Sequence, residues 1–223
     1  MGALPKNEDA VQAALSELEA DILLGRLYPR ERLTEEALSM RFGFKRHTVR
    51  HVLVELETAG LVVREAGRGA TVREYSTDEV RQLYEIREIL EGEAARRIPL
   101  PIAQDAHTAV TTLAERYAQA VATGDLIDVI KTNKRFHEVV YSLSGNVFLT
   151  DAIERHMAKA NLVRFTTSVD PAELVRRRDE HFSIVDALAG HDNDRLTQLC
   201  LDHMKPSLHR WLKMRGLLAA APR

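Results

Sequence analysis

The stretch TEEALSMRFGFKRHTVRHVLVELETAGLVVREAGRGATV, residues 34–72, decides the fold. Thr34 carries the short hydroxyl that caps a helix N-terminus, and Ala37, Leu38 and, more loosely, Met40 are the apolar positions behind it. Phe42-Gly43-Phe44 reads as a turn, because Gly43 takes positive φ without strain. A second helix follows, with Val49, Val52, Leu53 and Leu56 on one face. Lys45, Arg46, His47, Thr48, Arg50 and His51 crowd its first turns, and Gly60 stops it. Leu61-Val62-Val63 and Ala70-Thr71-Val72 are β-prone, and Gly67-Arg68-Gly69 between them reads as a hairpin tip.

Helix, tight turn, helix and hairpin form the layout of a winged helix-turn-helix. Its second helix brings N-terminal residues to base edges in the DNA major groove. Arg46 and Arg50 lie four apart and share a face, and an arginine fork can read guanine or hold phosphate. The candidate DNA contacts are Lys45, Arg46, His47, Thr48, Arg50, and Arg68 and Gly69 at the hairpin tip. The competing reading is an ordinary amphipathic helix with a solvated basic face. Turn, apolar face and glycine tip in register favour DNA.

Charge agrees with that choice. The whole chain has a formal net charge of −2, so it is not a general binder of polyanions. Residues 41–73 hold seven Lys/Arg against three Asp/Glu, whereas residues 1–40 hold four against eight. The positive surplus is local and modest, which implies that two copies bind together.

A helix is expected from about residue 8 to 25, with Val11, Leu15, Leu18, Ile22 and Leu23 as its buried stripe. Residues 73–76 read as a linker, giving a DNA-binding domain over 1–75 and a second domain over 76–223. Six helices are expected at about 77–98, 101–123, 125–144, 147–168, 171–190 and 192–215. They are broken at Pro99/Pro101, Gly124, Gly145-Asn146, Asp170-Pro171 and Gly190. Such short connections imply antiparallel neighbours, so the fold class is mainly α: a winged helix-turn-helix followed by an antiparallel bundle. The expected bundle core includes Leu83, Ile86, Leu90, Leu113, Val121, Ile130, Phe136, Val140, Leu149, Ile153, Leu162, Ile184, Leu188, Leu199 and Leu208. The single cysteine, Cys200, lies in an apolar helical pattern and reads as a buried thiol. There is no signal-like N-terminus and no apolar run long enough for a bilayer, so a cytoplasmic location is expected.

Asn133 and His137 project from one face of a bundle helix, with His181 in the fifth bundle helix and His203 in the last. Three histidines from three helices can converge inside a bundle, where metal sites are commonly built. Imidazole suits zinc, nickel, iron and copper. Against this stands the ordinary surface or core histidine, the commoner case for any one of them.

Two resemblances sharpen these readings. G-F-K-R-H-T-V-R-H-V-L, then E-T-A-G-L, then G-R-G resembles the DNA-reading stretch of the GntR superfamily of bacterial transcription regulators. G-R-L-Y-P-R-E-R-L at 25–33 matches a family pattern apart from Arg30, where the family has glycine. Residues 78–211 resemble the FCD effector domain of the FadR branch. The matching segments are L-Y-E-I-R-E-I-L-E, F-H-x-x-x-Y-x-x-S-G-N, E-H-x-x-I-x-x-A-L and D-H-M. Six bundle helices resemble the VanR-like subgroup. The resemblance implies a metal held by Asn133, His137, His181 and His203, with Asn133 standing where the family has aspartate. It implies a divalent transition metal, zinc or nickel, and a small carboxylate effector bound near it. It also implies a cavity role for Arg87, whose alternative is a surface ion pair with Glu91.

The function expected is a dimeric, metabolite-responsive transcription regulator, a repressor, on a palindromic double-stranded DNA operator. It is not expected to be an enzyme. The rival is a metalloenzyme using the three histidines, but no glycine-rich phosphate loop, nucleophile elbow or HExxH motif accompanies them. A DNA binder without an effector is the third reading, favoured by a filled bundle interior.

Overall fold

The computed structural model describes residues 5–65, 69–166 and 170–216. Contacts divide the chain into two compact units, Met1–Ser76 and Thr77–Arg223.

The first unit contains α1 (Pro5–Leu23), β1 (Arg32–Leu33), α2 (Glu35–Phe42), α3 (Arg46–Thr58), β2 (Val62–Glu65) and β3 (Gly69–Val72). Thr34 caps α2, its hydroxyl oxygen accepting from Ala37 N at 3.2 Å, and Gly43 ends α2 at φ 67°. In α3 the stripe Val49, Val52, Leu53 and Leu56 is buried. In α2 only Leu38 is buried, and Ala37 and Met40 face outward, because a helix of about two turns presents only a narrow face to its neighbours. The hairpin is antiparallel, Val62 opposite Val72 and Glu65 opposite Gly69. It gains a strand that the sequence reading lacked: β1 pairs with β3, giving the order β1-β3-β2. Arg30, just before β1, has φ 68° and gives its backbone N–H to Val72 O at 2.9 Å, so the position that is glycine in the family pattern holds a left-handed arginine.

The second unit is six helices among the described residues: α4 (Thr77–Arg97), α5 (Gln104–Thr123), α6 (Leu126–Ser142), α7 (Val147–Thr166), α8 (Pro171–Leu188) and α9 (Asn193–Met214). Most breaks fall at the expected residues. Gly124 and Gly145 take positive φ, while Asp125, Asp170 and Asp192 cap α6, α8 and α9 with their carboxylates. The start of α5 is later than the prolines suggest, because Ile102 N–H bonds to Leu188 O at the end of α8 and holds that segment out of the helix. The apolar core joins Ala94, Ile98, Val110, Ala114, Phe136, Val140, Ile153, Ile184, Leu188 and Leu196. Leu90, Leu113, Leu149 and Leu199 are half-buried and pack against this core, and Ile86, Val121 and Leu208 are half-buried as well. On α4 the inward stripe is Val80, Leu83, Tyr84, Arg87, Glu91, Ala94 and Ala95, which leaves Ile86 and Leu90 on its flanks. Cys200 is a buried thiol, its pKa pushed up to about 12 by burial.

Candidate functional site

On the first unit, Lys45, Arg46, His47 and Arg50 are exposed along the start of α3. Arg50 donates from Nε to Glu35 Oε1 at 2.8 Å, and this hydrogen bond holds the Glu35 carboxyl below its usual range. The bond uses one edge of the guanidinium and leaves the two terminal nitrogens for another acceptor. Thr48 is the correction within this group. It is buried one turn before Val52, beside a groove that Val11, Leu15, His47 and His51 also line, so it packs α3 rather than facing outward. Gly69 has φ 97°, and a Cβ there would overlap the carbonyl oxygen of Leu33. That residue therefore serves the close approach of β3 to β1. Arg68 lies outside the described residues.

In the second unit, α6, α8 and α9 bring His137, His181 and His203 together, one ring nitrogen of each lying within 4.8 Å of the other two. Each lies where an apolar stripe continues: His137 follows Phe136, His181 precedes Ile184, and His203 precedes Met204. The Nε2 atoms of His137 and His203 are 3.2 Å apart. That is a hydrogen-bonding distance, and it is also close to the separation of about 3.3 Å between donors on one tetrahedral ion at Zn–N bonds of about 2.0–2.1 Å. His203 Nδ1–H donates to Glu180 Oε2 at 2.7 Å, which leaves the Nε2 lone pair facing the cluster.

His181 is the decisive member. It is 0 % exposed, its ring stacks on Phe136 at 4.1 Å between centroids, and Tyr117 lies 4.5 Å away. Neither ring nitrogen has a hydrogen-bond partner among the described residues. A buried donor or acceptor left unmatched costs about 1–3 kcal/mol, so this imidazole is built for something that joins it. Burial, with the neighbouring imidazoles and guanidiniums, pushes all three histidine pKa values well below the usual range. Neutral imidazole is the ligating form.

Around the histidines the bundle is polar and positive. Arg87, Arg164 and Arg177 are all buried. Arg87 donates from Nε to Glu91 Oε1 at 2.7 Å; the ion pair with Glu91 exists, but inside the bundle rather than on its surface. Tyr141 OH donates to the other carboxylate oxygen of Glu91 at 2.8 Å. Asn133 is buried one turn before His137, and its Oδ1 accepts from Arg164 Nη2 at 2.9 Å. Sequence reading singled out Arg87 and missed Arg164, Arg177 and Glu180. A signal was present for two of them: Arg177 is four residues before His181 on the stripe Leu174, Arg177, His181, Ile184, and Arg164 continues Ile153, Met157, Ala160.

A helix-turn-helix with a three-stranded wing, joined to a helical bundle with a polar interior, defines a class of DNA-binding regulators with a ligand domain. Residues 10–72 match the bacterial regulatory proteins of the gntR family, and residues 82–206 match the FCD domain. The chain therefore belongs to the GntR family and carries an FCD domain. It is 26% identical over 190 residues to the HTH-type transcriptional repressor RspR of Escherichia coli, covering 84% of this chain and 82% of that one. It is 24% identical over 189 residues to the Nta operon transcriptional regulator of Aminobacter aminovorans, covering 83% and 87%. The solved structure of E. coli McbR/YncC has a TM-score of 0.78 at 20% identity, covering 92% of this chain and 98% of that one. The protein is a DNA-binding transcription regulator and not an enzyme. No helix among the described residues is long and apolar enough to cross a membrane.

Proposed function

We propose that the protein is a metabolite-responsive repressor whose FCD domain senses a small carboxylate beside a divalent metal, zinc or nickel. His137, His181 and His203 hold the metal, and Asn133 borders it. The observation that carries this reading is His181, buried with both ring nitrogens unmatched, within 4.8 Å of two other imidazoles. A divalent metal held there would supply positive charge for an anionic effector. Glu180 orients His203 by taking its Nδ1 proton. Lys45, Arg46, His47 and Arg50 face DNA from α3, and Arg87, held by Glu91 inside the bundle, takes part in effector binding. The protein works as a homodimer on a palindromic operator, since one such motif offers little contact area and two half-sites multiply it. Effector binding acts by favouring one arrangement of the two DNA-reading units over another.

Calorimetric titration of zinc and nickel into metal-stripped protein tests the site. One ion per chain is expected in the wild type, and His181→Ala should bind at least about tenfold more weakly, as is typical for changes in or next to a metal's ligand set. Equal affinity in the two proteins contradicts the reading.

A further inference from the structure

Two further histidines pair up in the first unit. His47 and His51 are four residues apart on α3, so their side chains leave the same side of the helix one turn apart. Both are exposed, and both line a groove of about 600 Å³ between α1 and α3. Val11 and Leu15 of α1 and the buried Thr48 of α3 also line it. Two carboxylates share the same space. Glu8 enters it from α1, and Glu55 from α3, one turn beyond His51. Glu55 Oε1 lies 3.9 Å from His51 Nδ1, an ion-pair distance that leaves both groups open to another partner.

This combination is a metal-binding chemistry. Histidines at i and i+4 on one helix can reach a single ion, as the same spacing does in the zinc motif HExxH. Imidazole nitrogen suits nickel, copper and zinc. An isolated pair on a bare surface would leave the ion's full charge to water, whereas here a carboxylate from each wall of the groove attracts and offsets it. In the bundle, one nitrogen from each of three buried rings already lies within 4.8 Å of the other two. His47 and His51 are exposed and lose rotamer freedom when they close on an ion, so the groove is the weaker binder.

We infer that His47 and His51 form a second metal site, a chelate for a divalent transition ion in the α1–α3 groove. Glu8 and Glu55 offset the charge, and water completes the coordination. The site belongs to the DNA-reading unit, on the helix that carries Arg46 and Arg50, and it does not depend on the metal reading of the bundle.

Calorimetric titration of nickel into metal-stripped full-length protein tests it, in the wild type, His51→Ala, His181→Ala and His181→Ala combined in turn with His47→Ala, His51→Ala or His191→Ala. The bundle accounts for one ion per chain, and the groove for a further, weaker one. His181→Ala should therefore keep the weaker ion. Adding His47→Ala or His51→Ala should lower that remaining affinity at least about tenfold, as is typical for changes in a metal's ligand set. Adding His191→Ala, which removes an ordinary exposed histidine, should leave it unchanged. If His181→Ala does not fold, His51→Ala alone serves: both rings being exposed, it should fold, lose the weaker ion and keep the tighter one. No nickel binding by folded His181→Ala, equal affinity with and without His51, or a loss as large from His191→Ala overturns the inference. Equal binding by wild type and His181→Ala, with all nickel lost on adding His51→Ala, would instead refute the bundle site and leave the groove site standing.

Discussion

Arg50 gives its Nε–H to Glu35 Oε1 at 2.8 Å, tying the second helix of the DNA-reading motif to the first. The guanidinium is held by one edge on an exposed face, which reduces the side-chain freedom that DNA binding would otherwise remove. Arg50→Ala should weaken operator binding roughly 5- to 150-fold if Arg50 reads a base, and Glu35→Ala should weaken it less, since it removes only the orientation. Anisotropy titrations at fixed salt measure both. Unchanged affinity in Arg50→Ala and in Arg46→Ala would remove α3 from the interface.

Inside the bundle, Glu91 joins α4 to α6 by accepting from Arg87 and Tyr141. Removing one partner of a buried pair leaves the other charge uncompensated. Glu91→Ala should lower unfolding stability by about 3–5 kcal/mol in urea titration, and Arg87→Met with Glu91→Leu should cost far less than Glu91→Ala alone. A double variant as unstable as the single one would show that packing, not charge, sets the loss.

Arg30 sits at φ 68° before β1 and makes an exposed ion pair with Glu74. Left-handed backbone costs a residue with a Cβ about 1–2 kcal/mol, and an exposed pair returns about 0–1 kcal/mol. Arg30→Gly should therefore stabilise the first unit slightly, by about 0.5–1 kcal/mol, offset in part by the flexibility glycine gives the unfolded chain. Thermal unfolding checks the sign; a lower Tm would show that the ion pair outweighs the strain.

How far the sequence was legible follows from what each residue depends on. Thr34, Gly43, Asp125 and Asp170 act on their own helix ends, so local rules locate them. The α3 stripe was legible because its apolar face is uninterrupted. The histidine trio was legible in part, since spacing puts each residue inward but only packing brings three helices to one point. Arg164 and Arg177 were missed because an arginine in an amphipathic helix ordinarily reaches water. Their places on the inward stripes of α8 and α7 were the available signal, and the neighbouring helices complete the burial. The pairing of β1 was missed because two residues carry no periodicity, and the strand exists only through β3.

The most direct test of the account is anisotropy of a fluorescent operator, selected from random-sequence DNA, with zinc-loaded wild type and with His181→Ala as each of a panel of small carboxylates (acetate, propionate, lactate, malonate, succinate and citrate) is added. The wild type should lose operator affinity by about 5- to 150-fold at saturation, the range of ordinary allosteric coupling, while His181→Ala should bind the operator and not respond. A response of equal size in both proteins, or none in the wild type, contradicts the account.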